Sequence, residues 1–335
     1  LQTRVISECV PVQVPCYTAP VVPYIAPDDE TLYLFSRILL ARLLSAEPGG
    51  TSLSLSGMLE MTHYRLEGGE IRLDSGAVLG AGAVRWLAPA EPTKIIAVHL
   101  TYQSRIDEYA AATPPAPSYF MKPPSALNGH LGAIPKPPAA RFLNYEGELA
   151  VVIGTAAKGI APERAHEHVA GFTCANDVGM HDYRHADRGS MLRVKGQDGF
   201  LPLGPALVSP DEWTPDGGYT LRTYLNGAVV QEATAEDIIW DWRYQLADLA
   251  RSITLEPGDV VLTGTPANSR PMEAGDVVEV EIDGVGRLTN TVVELDADPD
   301  GPGDQPEVSA QTLHVALAIP EDEAERQVEE GRTSP

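Results

Sequence analysis

Glu146 and Glu148 stand one residue apart in "RFLNYEGELAVVIG", residues 141–154, directly ahead of an apolar run. If that run is a strand, residues i and i+2 share a face and both carboxylates project together. Two readings are open for such a pair. Either the strand end is wet and water separates the charges, or a cation sits between them and holds both ionised. A third acid, Asp177, follows an apparent strand in "GFTCANDVGMHDYRHADRGSMLRVKGQDGFLPLGP", residues 171–205, ahead of a loop crowded with Arg184, His185, Arg188, Arg193 and Lys195. Three carboxylates make an all-oxygen site of the kind Mg2+, Mn2+ or Ca2+ prefers. The neighbouring arginines and lysine would then receive carboxylates of an anionic substrate.

The elements that must position these groups are mostly strands. Residues 94–100, 149–153, 219–225, 259–263 and 277–282 are short and rich in Val, Ile, Leu or Thr. Helical signals are fewer: 162–170, the stretch around Ile238 to Arg251, and an amphipathic "LYLFSRILLARLL" at 32–44. Asp283-Gly284 marks a hairpin turn in "VVEVEIDGVGRLTNTVVEL". The pattern predicts an α+β, β-rich architecture rather than a doubly wound parallel sheet. "APAEPT" at 88–93 reads as a linker, which gives a smaller N-terminal domain over 1–92 and a catalytic domain over 93–296. The acidic, Pro- and Gly-rich segment 297–335 is expected to be a partly disordered tail, with "TLHVALAI" available as an edge strand.

Composition narrows the partners. The net charge of -23 over 335 residues argues against nucleic acid and anionic membrane surfaces. An anionic substrate therefore needs a local basic pocket. Cys9, Cys16 and Cys174 are odd in number and lack CxxC spacing, so neither a disulfide framework nor a zinc site is suggested, and a cytoplasmic setting is the expectation. No stretch is long and apolar enough for a membrane span, and no signal peptide is visible.

"NYEGELAVVIG", "AGFTCANDV", "KGQDGFLPLGP" and "LTGTP" occur in an order and spacing that resemble the fumarylacetoacetate hydrolase superfamily over roughly residues 94–295. "LRVKGQDG" and "DGVGRLTN" look most like its isomerase/decarboxylase branch in the homoprotocatechuate pathway. The resemblance implies a mixed β-sandwich roll with a smaller N-terminal domain, commonly a homodimer. It implies a divalent ion, usually Mg2+, on Glu146, Glu148 and Asp177, with Lys195 as the active-site lysine. Lys122 in "FMKPPSAL", Gln197 and Thr265 match positions expected to contact substrate.

One departure bears on the reaction. Family hydrolases carry "NYxxHxxE", whose His and Glu activate water. Here the stretch is "TYQSRIDE", so Arg105 replaces the histidine and Glu108 alone remains. A guanidinium cannot act as a general base at neutral pH. The sequence therefore predicts isomerisation or decarboxylation of an unsaturated 2-oxo or 2-hydroxy dicarboxylic acid through a metal-stabilised enolate, with Arg105 on the distal carboxylate. The alternatives are a hydrolase cleaving the C–C bond of an acylpyruvate, with Glu108, His181 or His185 as base, and a metal-binding protein without catalysis. Arg105 paired with Asp107 or Glu108 is the competing structural reading of that residue.

Overall fold

The apolar run after Glu148 becomes the middle strand of a seven-stranded sheet. In the computed structural model this strand, Gly147–Ile153, is buried along its whole length. The sheet runs in the order Ser118–Lys122, Ile95–His99, Val260–Leu262, Gly147–Ile153, Val169–Asn176, Leu201–Val208 and Leu127–Asn128. A five-stranded sheet packs beside it, ordered Ala228–Thr234, Thr220–Leu225, Val277–Ile282, Gly286–Glu294 and Ala133–Lys136. The structure describes residues 86–297 and 301–333. Towards the N-terminus it describes four short strands, Leu32–Tyr33, Tyr64–Glu67, Glu70–Leu73 and Val78–Gly80, paired antiparallel in one sheet.

Burial on both faces explains why the central strand reads as continuous rather than alternating hydrophobicity. One face contributes Leu149, Val151 and Ile153 to a core with Phe172, Leu221, Val280 and Leu246. The other contributes Ala150 and Val152 to a core with Ile95, Ala97, Leu203 and Leu262. Most pairings are antiparallel, but Val260–Leu262 runs parallel to Ile95–His99, Leu201–Val208 to Leu127–Asn128, and Gly286–Glu294 to Ala133–Lys136. The sheets are therefore mixed, as the sequence pattern predicts.

Two expectations about elements change, and a third falls almost wholly outside the described residues. Residues 162–170 do not make an α-helix. Pro162–His168 is a 3-10 helix and Val169 already opens the next strand. The helix expected around Ile238 is Trp242–Ser252, because the Asp241 side chain accepts from the Tyr244 N–H and sets the start there. The helix expected over 32–44 lies outside the described residues except for Leu32–Tyr33, which is strand.

The acidic C-terminal segment differs most. "TLHVALAI" is not an edge strand. Ser309 and Thr312 form a capping box that starts helix Ala310–Leu317, and a second helix, Glu321–Glu329, follows. Leu313, Ala316 and Ala324 are fully buried against Phe142, so the pair docks on the body rather than hanging from it. Composition averaged over the segment hides this short apolar stripe. Among the described residues no helix is long and apolar enough to cross a membrane.

Candidate functional site

Register places the acids. Gly147 lies opposite Asn176 and Glu148 opposite Ala175, so Asp177 leaves its strand beside Glu146. The Asn176 side chain accepts the Glu146 N–H at 2.8 Å, and the Asp177 N–H donates to the Glu146 carbonyl at 2.8 Å. One carboxylate oxygen from each of Glu146, Glu148 and Asp177 then lies within 4.8 Å of the others, all three residues being buried. That spacing suits a shared divalent ion with ligands at roughly 2.0–2.6 Å.

The electrostatics fit a cation as well. Burial, and then repulsion from Asp177 and Glu146, push the Glu148 carboxyl well above the usual range. The Gly264 N–H, which donates at 2.6 Å, and then Lys195 work against this. Gly264 belongs to "LTGTP" and has φ +100°, and a Cβ there would sit 1.9 Å from Thr101 Oγ1. Only glycine lets the backbone turn its N–H onto Glu148. Burial also pushes Asp177 up, but Lys122 and Lys195 outweigh it and hold the carboxyl below its ordinary value.

Lys195 ends the short helix Leu192–Lys195 and reaches back across Gly179, where a Cβ would come within 2.9 Å of its Cε. Its Nζ lies 2.7 Å from Glu146 Oε2, 3.1 Å from Asp177 Oδ2 and 2.6 Å from the Asp177 carbonyl. Burial disfavours its charge, yet the two acids more than offset this and raise its pKa. Lys195 is thus an ammonium held among carboxylates.

A cavity of about 980 Å³ opens on this cluster. Glu146, Glu148, Asp177, Lys195, Arg105 and Thr265 line it, so six of the positions singled out in the sequence come together. The other three lie off its surface. Lys122 sits behind Asp177, bonded to its Oδ1 and to the Phe200 carbonyl at 2.8 Å. Gln197 turns to the Arg193 carbonyl at 2.9 Å and does not line the cavity. Glu108 faces Arg105 Nη1 at 2.7 Å and Arg270 Nη2 at 2.8 Å. Those two arginines overcome burial and hold the Glu108 carboxyl below its usual range. The pairing of Arg105 is with Glu108, because Gln103 takes Asp107 at 2.7 Å. Arg105 also approaches Glu146 Oε1 at 3.5 Å and stacks over Tyr109, 4.5 Å from the ring centre.

Of the loop cations the sequence offered for substrate carboxylates, Arg184 reaches the cavity wall beside Lys195, and several other wall groups were missed. His99 ends strand Ile95–His99 on the same face as Ala97, and strict alternation would have pointed it there. Burial, Arg184 and Lys195 lower its pKa to about 4, so it is neutral at pH 7. Tyr109 also lines the cavity, as do His314, Glu321, Asp322 and Glu325 of the C-terminal helices. The Tyr109 hydroxyl donates to the Val315 carbonyl at 3.0 Å, tying helix Gln103–Glu108 to that C-terminal pair. His181 is fully buried behind the wall, and His185 lies 4.0 Å from Glu307, away from the cavity.

Comparison with known proteins identifies the family. Residues 94–293 match the fumarylacetoacetate (FAA) hydrolase C-terminal family, and the chain belongs to it. An uncharacterized protein of Archaeoglobus fulgidus is 40% identical over 68% of this chain and 90% of its own length. The 4-hydroxyphenylacetate degradation bifunctional isomerase/decarboxylase of Salmonella dublin is 37% identical over 59% of this chain. The match covers 46% of that longer protein. Among solved structures, the 2-hydroxyhepta-2,4-diene-1,7-dioate isomerase from Mycobacterium marinum superposes with a TM-score of 0.60 at 31% identity, covering 82% of this chain and 98% of that one.

Proposed function

We propose that this family enzyme is divalent-metal-dependent, with Mg2+ as the expected ion, and isomerises or decarboxylates an unsaturated 2-oxo or 2-hydroxy dicarboxylic acid. The observation that carries the reading is the convergence of Glu146, Glu148 and Asp177 on a cavity that also presents Lys195, Arg105 and Arg184. Such a wall offers a cation site and cationic side chains to an anionic substrate. The names of the Salmonella and Mycobacterium proteins support the reaction class.

Glu146, Glu148 and Asp177 would hold the ion, which when bound supplies Lewis-acid stabilisation of negative charge on the substrate's 2-oxygen. Lys195, kept protonated by its acid partners, holds the adjacent anionic oxygen and contributes charge rather than a base. Val98, Phe120 and Met191 supply an apolar part of the wall beside these charged groups. His99 is on the wall and neutral at pH 7, but with its pKa lowered to about 4 it is too weak a base to be assigned the proton transfer of an isomerisation. Decarboxylation needs no base.

Hydrolysis of an acylpyruvate is the disfavoured alternative, for a geometric reason. Of the bases offered for it, Glu108 is paired with two arginines, His181 is buried behind the wall and His185 lies beside Glu307 off the cavity. The test is product analysis. Purified protein with Mg2+ is incubated with oxaloacetate, a dienoic 2-hydroxy dicarboxylate and an acylpyruvate, each with and without EDTA. EDTA-sensitive carbon dioxide release or double-bond migration is expected. Efficient acylpyruvate cleavage in preference to both would overturn the reading.

A further inference from the structure

The cations of the cavity are not equivalent. Lys195 is balanced by Glu146 and Asp177, and Arg105 by Glu108 and Glu146. Arg184, the first residue of the four-residue helix Arg184–Asp187, also lines the cavity, but its recorded partners are neutral. Its Nε donates to His181 Nδ1 at 3.1 Å and its Nη1 to Met191 Sδ at 3.3 Å. Among the described residues no carboxylate comes within ion-pair distance of its guanidinium. The nearby Asp187 is occupied by Arg193 at 3.2 Å and by the Val194 N–H at 2.9 Å.

A guanidinium placed on a cavity wall without a counter-ion is costly unless an anion arrives to pair with it. Burial accordingly pulls its pKa below the ordinary arginine value, whereas the paired Arg105 moves the other way. His181 fixes the direction. Its ring is buried, and burial together with Arg184 keeps it neutral, so Nδ1 can accept the Nε–H and leave Nη2 free for the cavity. Glu321, Asp322 and Glu325 make the C-terminal wall acidic, which repels a second carboxylate from that side.

We propose that Arg184, aimed by His181, is the specificity-determining residue that receives the distal carboxylate of a dicarboxylic substrate, in place of Arg105. The inference rests on the 2-oxo-acid reading above and deepens it. The pairing is guanidinium to carboxylate, bidentate where Nη2 and a second N–H both reach.

Calorimetric titration of the full-length protein in Mg2+ tests this with two stable five-carbon probes, 2-oxoglutarate and 2-oxopentanoate, which differ in the distal carboxylate alone. The native protein should prefer the dicarboxylate by about 10- to 100-fold. Arg184→Gln should abolish the preference by weakening 2-oxoglutarate, leaving 2-oxopentanoate within about threefold. Arg184→Lys keeps the charge without the fork and should keep only part of the preference, which serves if the Gln variant does not fold. His181→Leu should lower the preference about 3- to 10-fold, and His181→Gln, whose amide oxygen still accepts, should restore it. A preference that survives Arg184→Gln but disappears in Arg105→Gln would assign the distal carboxylate to Arg105 and overturn the inference. Equal binding of both probes to the native protein would overturn it while leaving the metal and 2-oxo-acid site standing. Failure of both probes to bind in Mg2+ would overturn both readings.

Discussion

Replacing Lys195 with methionine tests whether this cluster is a charge-balanced site that awaits a cation. The ammonium is 2 % exposed and lies within 3.1 Å of carboxylate oxygens from both Glu146 and Asp177. Methionine keeps most of the volume and removes the charge. Deleting one partner from a buried ion network costs about 3–5 kcal/mol, because the remaining charges stay in a poorly solvating environment. At about 2 °C per kcal/mol for a chain of this size, the melting midpoint in EDTA should fall by about 6–10 °C. A divalent cation can replace the missing charge, so saturating Mg2+ should raise the variant's midpoint by more than it raises that of the native protein. For comparison, a cation at 100 times its Kd adds about 2.7 kcal/mol to a form that binds only when folded.

The pH dependence follows from the two shifts. Lys195 has a raised folded pKa, so its contribution is complete below the unfolded value of about 10.4 and is lost only as pH rises through the higher folded value. Asp177 has a lowered folded pKa, so its contribution is present above about 3.9 and is lost as pH falls through the lower folded value. The gap between native and variant should be flat from about pH 5 to 9 and close in stronger acid. Scanning calorimetry in EDTA and in Mg2+ at pH 7.5 reads the effect. A variant that melts within about 1 °C of the native protein in EDTA, or gains no more from Mg2+, would show that Lys195 does not balance the acids.

Three further outcomes are expected. Glu148→Gln should raise the melting midpoint in EDTA, because a carboxyl whose folded pKa is raised costs stability at every pH above its unfolded value, and it should abolish stabilisation by Mg2+; an unchanged Mg2+ response would remove Glu148 from the ligand set. Asp177→Asn should weaken Mg2+ binding by at least about tenfold in isothermal calorimetry, and undiminished affinity would count against its role. Leu313→Ala should cost about 2–5 kcal/mol of packing against Phe142 and speed amide exchange in Ala310–Leu317, whereas exchange at the native rate would mean that the apolar stripe does not hold the C-terminal pair.

The central strand was legible because a segment buried on both faces must be apolar throughout, and "LAVVIG" is. The acidic cluster was legible because i and i+2 share a face, and antiparallel register then brings Asp177 to Glu146. What stayed hidden depends on contacts between distant segments. Nothing local to Glu108 announces that Arg270, 162 residues later, neutralises it, and nothing near "TLHVALAI" announces the Phe142 surface on which it docks. The capping box Ser309–Thr312 was readable and outweighed by the acidic composition around it. Lys122 and Gln197 show the limit of motif matching, since neighbours in a motif can point to opposite sides of a wall.

Arg105 draws these points together. Read from the sequence, it looks like a cation available for substrate, because the position belongs to a functional pair in related hydrolases. In the fold it stands between Glu108 and Glu146, with Tyr109 beneath it, and its charge is already used. The same contact that occupies Arg105 disarms Glu108, since a carboxylate held low by two guanidinium groups cannot take a proton from water near neutral pH. With arginine at this position, two roles are affected at once. The histidine position offers no base, and on the proposal above the distal carboxylate falls to Arg184, the cavity arginine whose partners are neutral. The chemistry such a wall favours is one in which stabilising negative charge matters more than activating water.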